Sequence, residues 1–187
     1  AARVNTIGGN AQLQERARGM AKLIQGVMRL QNGHHLMDLA LRDALLYGCG
    51  FIRALEYFDG TRWGTRLETV HPSTVYVDED ACVDGVPPSL FIVKHLTKAH
   101  LKSLFSKRRS EIEALSADIL SDDGSQWIKC IEAWRVPVGD RPGRHAICAK
   151  DLCLSDEKFL EPTIPLMKIN WKHWGFYGIG LAQEFGV

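Results

Sequence analysis

The sequence predicts an α+β fold: two N-terminal helices packed on mostly antiparallel strands, with a short helical pair inserted between strands. Three observations carry this expectation. Apolar residues recur at three- and four-residue steps in the first fifty positions, then alternate with polar ones from Phe51 onward. Turn sequences such as Asp59-Gly60-Thr61 and Gly139-Asp140-Arg141-Pro142-Gly143 join alternating runs as hairpins do. Helix-capping residues between Thr97 and Leu120 interrupt the alternation.

In the first helix Leu13, Ala17, Met20, Ile24, Val27 and Met28 form the apolar stripe, and Asn32-Gly33 is the stop. The second, roughly His34 to Tyr47, is apolar almost all round, so it is expected to be buried on most sides and to centre the core, Leu41 included. Gly48-Cys49-Gly50 ends it. Strands are expected at 51–58, 63–70, 73–78 and 90–96, with Pro87-Pro88 between the last two. Thr97 caps a short helix ending near Phe105. Ser110 and Glu113 form a capping box for another that runs to about Leu120. A loop at Asp122-Asp123-Gly124 leads to a hairpin of 127–136 with 144–150, and a last strand spans 164–171. The layout of 1–187 is therefore helical over 1–50, strands over 51–96, a helical insertion over 97–120, strands over 127–174, and a glycine-rich lead over 175–187.

Composition bounds the function classes. The 187 residues are 45% hydrophobic and 24% charged, too apolar for a disordered chain. A chain this long buries about 70% of its unfolded surface, as one domain or two small ones. With 23 basic and 22 acidic side chains, no global field draws it to nucleic acid or an acidic membrane. No stretch approaches the roughly 20 apolar residues of a spanning helix, so no membrane partner is expected. Five cysteines without a pairing pattern, and no secretory signal, point to a reducing compartment. A start without Met and a stop after a glycine-rich run read as an excised fragment.

The even charge balance hides blocks of opposite sign. Residues 91–109 carry six basic side chains and no acidic one; residues 110–126 carry five acidic and no basic one. Such blocks suit either two solvated helix faces or surfaces that meet a charged partner. Lys107, Arg108 and Arg109 head the basic block and are a candidate electrostatic contact patch. Phe105 is their sole aromatic neighbour, so the patch lacks the stacking platforms of a single-strand binder. It is expected to serve protein contact or solubility, with little direct DNA binding.

Motifs for chemistry are absent. A calcium loop begun at Asp80 places Phe91 where a bidentate Glu is required. No Cys or His pair has zinc spacing. Gly175, Gly178 and Gly180 lack the Lys and Ser/Thr of a phosphate loop; they permit positive φ or close backbone approach, while Phe176 and Tyr177 supply adhesive surface. No catalytic, cofactor or metal residues are assigned, and the chain is expected not to be an enzyme. A small hydrolase using Cys49 or Cys130 with a histidine is the contrary reading.

Asp43 to Ile52, Val70 to Asp78, Ile131 to Pro137 with Gly143 to His145, and Pro165 to Trp171 with Gly175 to Leu181, taken in that order, resemble the portal proteins of tailed bacteriophages and prophages. Asp43-Ala44-Leu45-Leu46-Tyr47-Gly48-Cys49-Gly50-Phe51-Ile52 is similar to that family's helix ending in a Tyr-Gly-x-Gly turn. Val70-His71-Pro72-Ser73-Thr74-Val75-Tyr76-Val77-Asp78 resembles its Pro-x-x-Val-x-Val-Asp strand. Ile131-Glu132-Ala133-Trp134-Arg135-Val136-Pro137, with Gly143-Arg144-His145 after it, is similar to its Glu-x-Trp strand and return strand. Pro165 to Trp171 and then Gly175 to Leu181 look like the lead into its long stem helix. The resemblance implies the N-terminal wing portion of a structural ring subunit, typically one of twelve, at the capsid vertex. Such rings dock terminase, meet capsid and tail-adaptor proteins, and pass double-stranded DNA during packaging and ejection. The implied location is the virion, with assembly in the host cytoplasm. Trp171, Trp174, Phe176 and Tyr177 would then be subunit or stem-lead contacts. The alternative is another head-assembly or head–tail adaptor protein.

Overall fold

A computed structural model describes residue 4 and residues 9–58, 61–83 and 85–186, with the side chain of Phe58 excepted. In chain order the elements are α1 (Ala11–Leu30), α2 (Gly33–Tyr47), β1 (Cys49–Phe58), β2 (Trp63–Val70), β3 (Val75–Val77) and β4 (Ser89–Thr97). Then follow α3 (Lys98–Leu104), α4 (Arg109–Ala114), β5 (Ile119–Leu120), β6 (Gln126–Arg135), β7 (Gly143–Ala149), β8 (Leu152–Phe159), β9 (Leu166–Asn170) and α5 (Leu181–Glu184). Every strand pairing is antiparallel, and the class is α+β. The chain divides into two compact units: Ala1–Val70 with Pro165–Lys172 and Gly178–Val187, and His71–Ile164 with His173–Tyr177.

In the first unit the Asn10 side chain accepts the Leu13 N–H at 3.0 Å and caps α1. Asn32, in the left-handed region at φ 50°, separates α1 from α2. β1 is the centre of a three-stranded sheet in the order β2-β1-β9, with Phe51 opposite Val70 on one side and Lys168 on the other. Asp59 and Gly60 of the expected turn lie outside the described residues. Ala40, Ala44, Cys49, Phe51 and Val70 are fully or almost fully buried. Gly50 lets α2 lie against β1, because a Cβ there would run into the Ala40 carbonyl. Arg53, the one buried charged residue among those described, reaches across to its register partner Glu68, with Nε to Oε1 at 2.9 Å.

Burial of α2 on most sides is corrected by the structure. Its buried residues are the small ones, Gly33, Ala40 and Ala44, whereas Met37, Leu41 and Leu46 are each more than 40% exposed. Close packing selects small side chains on the face toward the sheet, and Leu36, Leu39 and Leu45 are only half-buried.

The second unit is a six-stranded sheet in the order β3-β4-β6-β7-β8, with β5 added on β6. One face carries α3 and α4, and Leu101, Ile112, Ile128, Cys130, Ala149 and Leu154 form its core. The Thr97 cap is present, its hydroxyl accepting the His100 N–H at 3.2 Å. The capping box at Ser110 is not: α4 starts at Arg109, and Glu113 bonds Lys102 at 2.5 Å instead. The expected helix to Leu120 stops at Ala114, because the Asp118 and Ser121 backbones pair with Trp127 and Ser125 as an added strand. β8 falls inside the expected strand region 127–174, yet alternation marks no separate strand at 152–159. Its consecutive Asp156-Glu157-Lys158 hides the alternation, and its turn, Lys150-Asp151, is not a standard hairpin pair although Lys150 adopts φ 52°.

Candidate interaction surface

Side chains of a strand alternate between the two faces of its sheet. In the second unit one parity is buried: Val75, Leu90, Ile92, Ile128, Cys130, Trp134 and Ala149. The other parity is exposed or half-buried along its length. Cross-strand register places Tyr76, Phe91, Ala133 and Ala146 in one transverse row. Val93, Ile131, Cys148 and Cys153 make the next. Tyr76 is 52% exposed, Phe91 47% and Ile131 37%. This apolar band crosses five strands. Arg135, Arg144 and Lys158 border it on one side, and His95 and Lys129 on the other. Arg144 grips Asp156 through Nε–Oδ1 at 2.6 Å and Nη2–Oδ2 at 2.5 Å, holding that carboxyl below its ordinary value.

The band was missed in the sequence reading, although a signal was there. A sheet covered on one face alternates apolar with polar, yet Leu90-Phe91-Ile92-Val93 and Cys130-Ile131 are apolar at both parities. Continuous apolar runs belong to strands covered on both faces.

The first unit has an apolar cavity of about 520 Å³ between α1, α2 and the sheet, lined by Ile24, Met28, Met37, Ile52, Leu67 and Met167 among others. The stripe of α1 is amphipathic as expected, but only Ala17 on it is buried; Met20 is 61% exposed.

The four aromatic residues singled out by sequence separate into two pairs. Phe176 is buried and meets Tyr177 edge-on at 5.0 Å, and the Tyr177 hydroxyl donates to the Val75 carbonyl at 2.9 Å. Both are used within the second unit. Trp171 is half-exposed, its backbone N–H donating to the Gly48 carbonyl at 3.1 Å, and Trp174 is 72% exposed. These two are the open ones.

The basic cluster is largely committed to its own chain. Arg108 bonds both carboxylate oxygens of Glu111, at 2.9 and 2.6 Å, and also the Cys153 carbonyl. Arg109 donates to the Lys102 carbonyl at 3.3 Å, while Lys107 is exposed. Lys102 pairs with Glu113, Lys98 donates to the Glu113 carbonyl, and Lys150 pairs with Asp118 at 3.0 Å. Hydrogen bonds from Arg108, Lys102 and the Lys129 N–H hold Glu111, Glu113 and Asp118 respectively below their ordinary values. The opposite charge blocks of the sequence thus meet each other inside one unit.

Trp134 and Glu132, two apart on β6, share a face. The indole N–H donates to the carboxylate at 3.1 Å, and His145 stacks on the indole at 3.7 Å with Nε2 3.0 Å from the same oxygen. The Glu-x-Trp motif is thereby a packed polar–aromatic cluster. Burial pushes the thiols of Cys49 and Cys130 up to about 11, so both are protonated at neutral pH. Among the described residues no three or more His, Cys, Asp or Glu side chains cluster as a metal site. Nor is any helix among them long and apolar enough to cross a membrane. No known protein-family model matches the sequence, and no curated protein matches it either.

Proposed function

We propose that this chain is a structural subunit of a self-assembling ring, the portal ring at a tailed-phage capsid vertex, where it would dock terminase and pass DNA. The observation that carries this reading is the open apolar face of the second unit. Tyr76, Phe91 and Ile131 lie uncovered on strands whose sequence is apolar at both parities, a pattern suited to burial against a neighbouring subunit. The commitment of Arg108 and Lys102 to internal acids supports DNA passage without grip by this segment. The four sequence motifs supply the family, and the virion is the location that follows from it.

Light scattering on the full product of the reading frame tests the proposal. A closed ring is expected, and Phe91→Ser with Ile131→Ser should break it into monomers of unchanged circular dichroism. A wild-type monomer at high concentration would refute the ring reading. A ring unaffected by both substitutions would move the contacts off this face.

A further inference from the structure

Cys148 and Cys153 are direct register partners on β7 and β8, beside the register shift that sets Leu154 into the core. Directly opposed antiparallel residues have Cα atoms about 4.5–5.5 Å apart, inside the roughly 4.4–6.8 Å range of disulfides. Both side chains lie on the open face, and both are half-buried and unbridged. The Cys153 thiol donates to the Ser155 carbonyl at 3.4 Å, while burial and then the neighbouring Cys153 hold the Cys148 thiol above its ordinary value. The other three cysteines differ. Cys49 and Cys130 are buried, and Cys82 donates to its own Asp78 carbonyl at 3.4 Å. None of those three has a cysteine for its register partner.

We propose that Cys148 and Cys153 form an oxidisable dithiol site, which hydrogen peroxide closes into a cross-strand disulfide pinning the edge strand β8 to β7. One thiol loses its proton and its sulfur attacks a peroxide oxygen. The O–O bond breaks, and the departing hydroxide takes that proton and leaves as water. The sulfur is now a sulfenic acid. The second thiolate attacks it, the S–O bond breaks, and the hydroxide leaves as water with the second proton. Two thiols are oxidised to one disulfide, and one peroxide is reduced to two waters. Strand pairing supplies the proximity that makes the second step outrun further oxidation.

The test is peroxide titration of the folded chain, followed by thiol counting after denaturation and unreduced peptide mapping. Two of the five thiols should disappear together, with one linked peptide joining Cys148 to Cys153. Cys148→Ser and Cys153→Ser should each abolish that linkage and leave a sulfenic acid that dimedone traps on the remaining sulfur. Because the pair is also close in sequence, the folded chain should close about tenfold faster than the chain in concentrated urea. Equal rates would overturn the role of strand geometry. Retention of all five thiols, sulfinic acids without the linkage, or links between chains would overturn the site itself.

Discussion

Gly48 and Gly178 pack backbone against backbone: a Cβ on Gly178 would lie 2.6 Å from the Gly48 carbonyl oxygen, and one on Gly48 would lie 2.7 Å from the Gly178 carbonyl carbon. Both have positive φ, 91° and 73°. The first closes α2 and the second sits in the glycine-rich run after β9, so one contact joins two motifs 130 residues apart in the first unit. Neither position has room for a side chain.

Gly48→Ala should therefore cost about 3 kcal/mol, from a left-handed alanine plus overlap with backbone that cannot yield. Gly124→Ala, also at positive φ (80°) but with open space around it, should cost only about 1 kcal/mol. Denaturant melts of the two variants compare them. Equal losses would mean that the Gly48–Gly178 approach relaxes freely.

Arg53 is 5% exposed and Glu68 is its register partner, so removing the carboxylate takes a charge-assisted partner from a buried guanidinium. Glu68→Ala should lower stability by about 3 kcal/mol, and replacing both residues by apolar ones should recover most of the loss. A double variant no better than the single one would show that the pair is not coupled.

Hydrogen bonds from Arg108 and Lys102 hold Glu111 and Glu113 below 4.5, so their contribution is present above that pH and is lost as pH falls through their folded values. Both are solvated, and the effect should shrink in high salt. The melting temperature of wild type should fall more steeply below pH 4.5 than that of the Glu111→Gln, Glu113→Gln double variant. Parallel acid limbs would remove these pairs from the account of stability.

Leu41 is 46% exposed and Ala44 is fully buried one turn further on. Leu41→Asp should therefore shift stability by no more than about 1 kcal/mol, whereas Ala44→Asp buries a carboxylate and should cost roughly 3–5 kcal/mol. The reverse order would restore the all-round burial that composition alone suggested.

Periodicity made much of the fold legible. The stripe of α1, the Asn32-Gly33 break, the Gly48 stop and most strands are local, and local φ/ψ preferences and alternation specify them. β8 and the early end of α4 were not legible. In each case strand pairing outweighed local preference: β7 paired a charged run into an edge strand, and the Asp118 and Ser121 backbones paired with Trp127 and Ser125 instead of continuing α4. Of the candidate surface residues, Trp171 and Trp174 proved open, while Phe176 and Tyr177 are spent inside the second unit.

By itself the sequence determined the helix and strand periods, the two glycine motifs and the opposite charge blocks, because each is written in neighbouring residues. Tertiary structure alone decided which apolar parity of β4 and β6 would be covered. It also decided that the charge blocks would neutralise each other and that Cys148 would face Cys153. The first and the last depend on strand register, which follows from how whole strands pack together, and the second depends on α3 and α4 lying side by side.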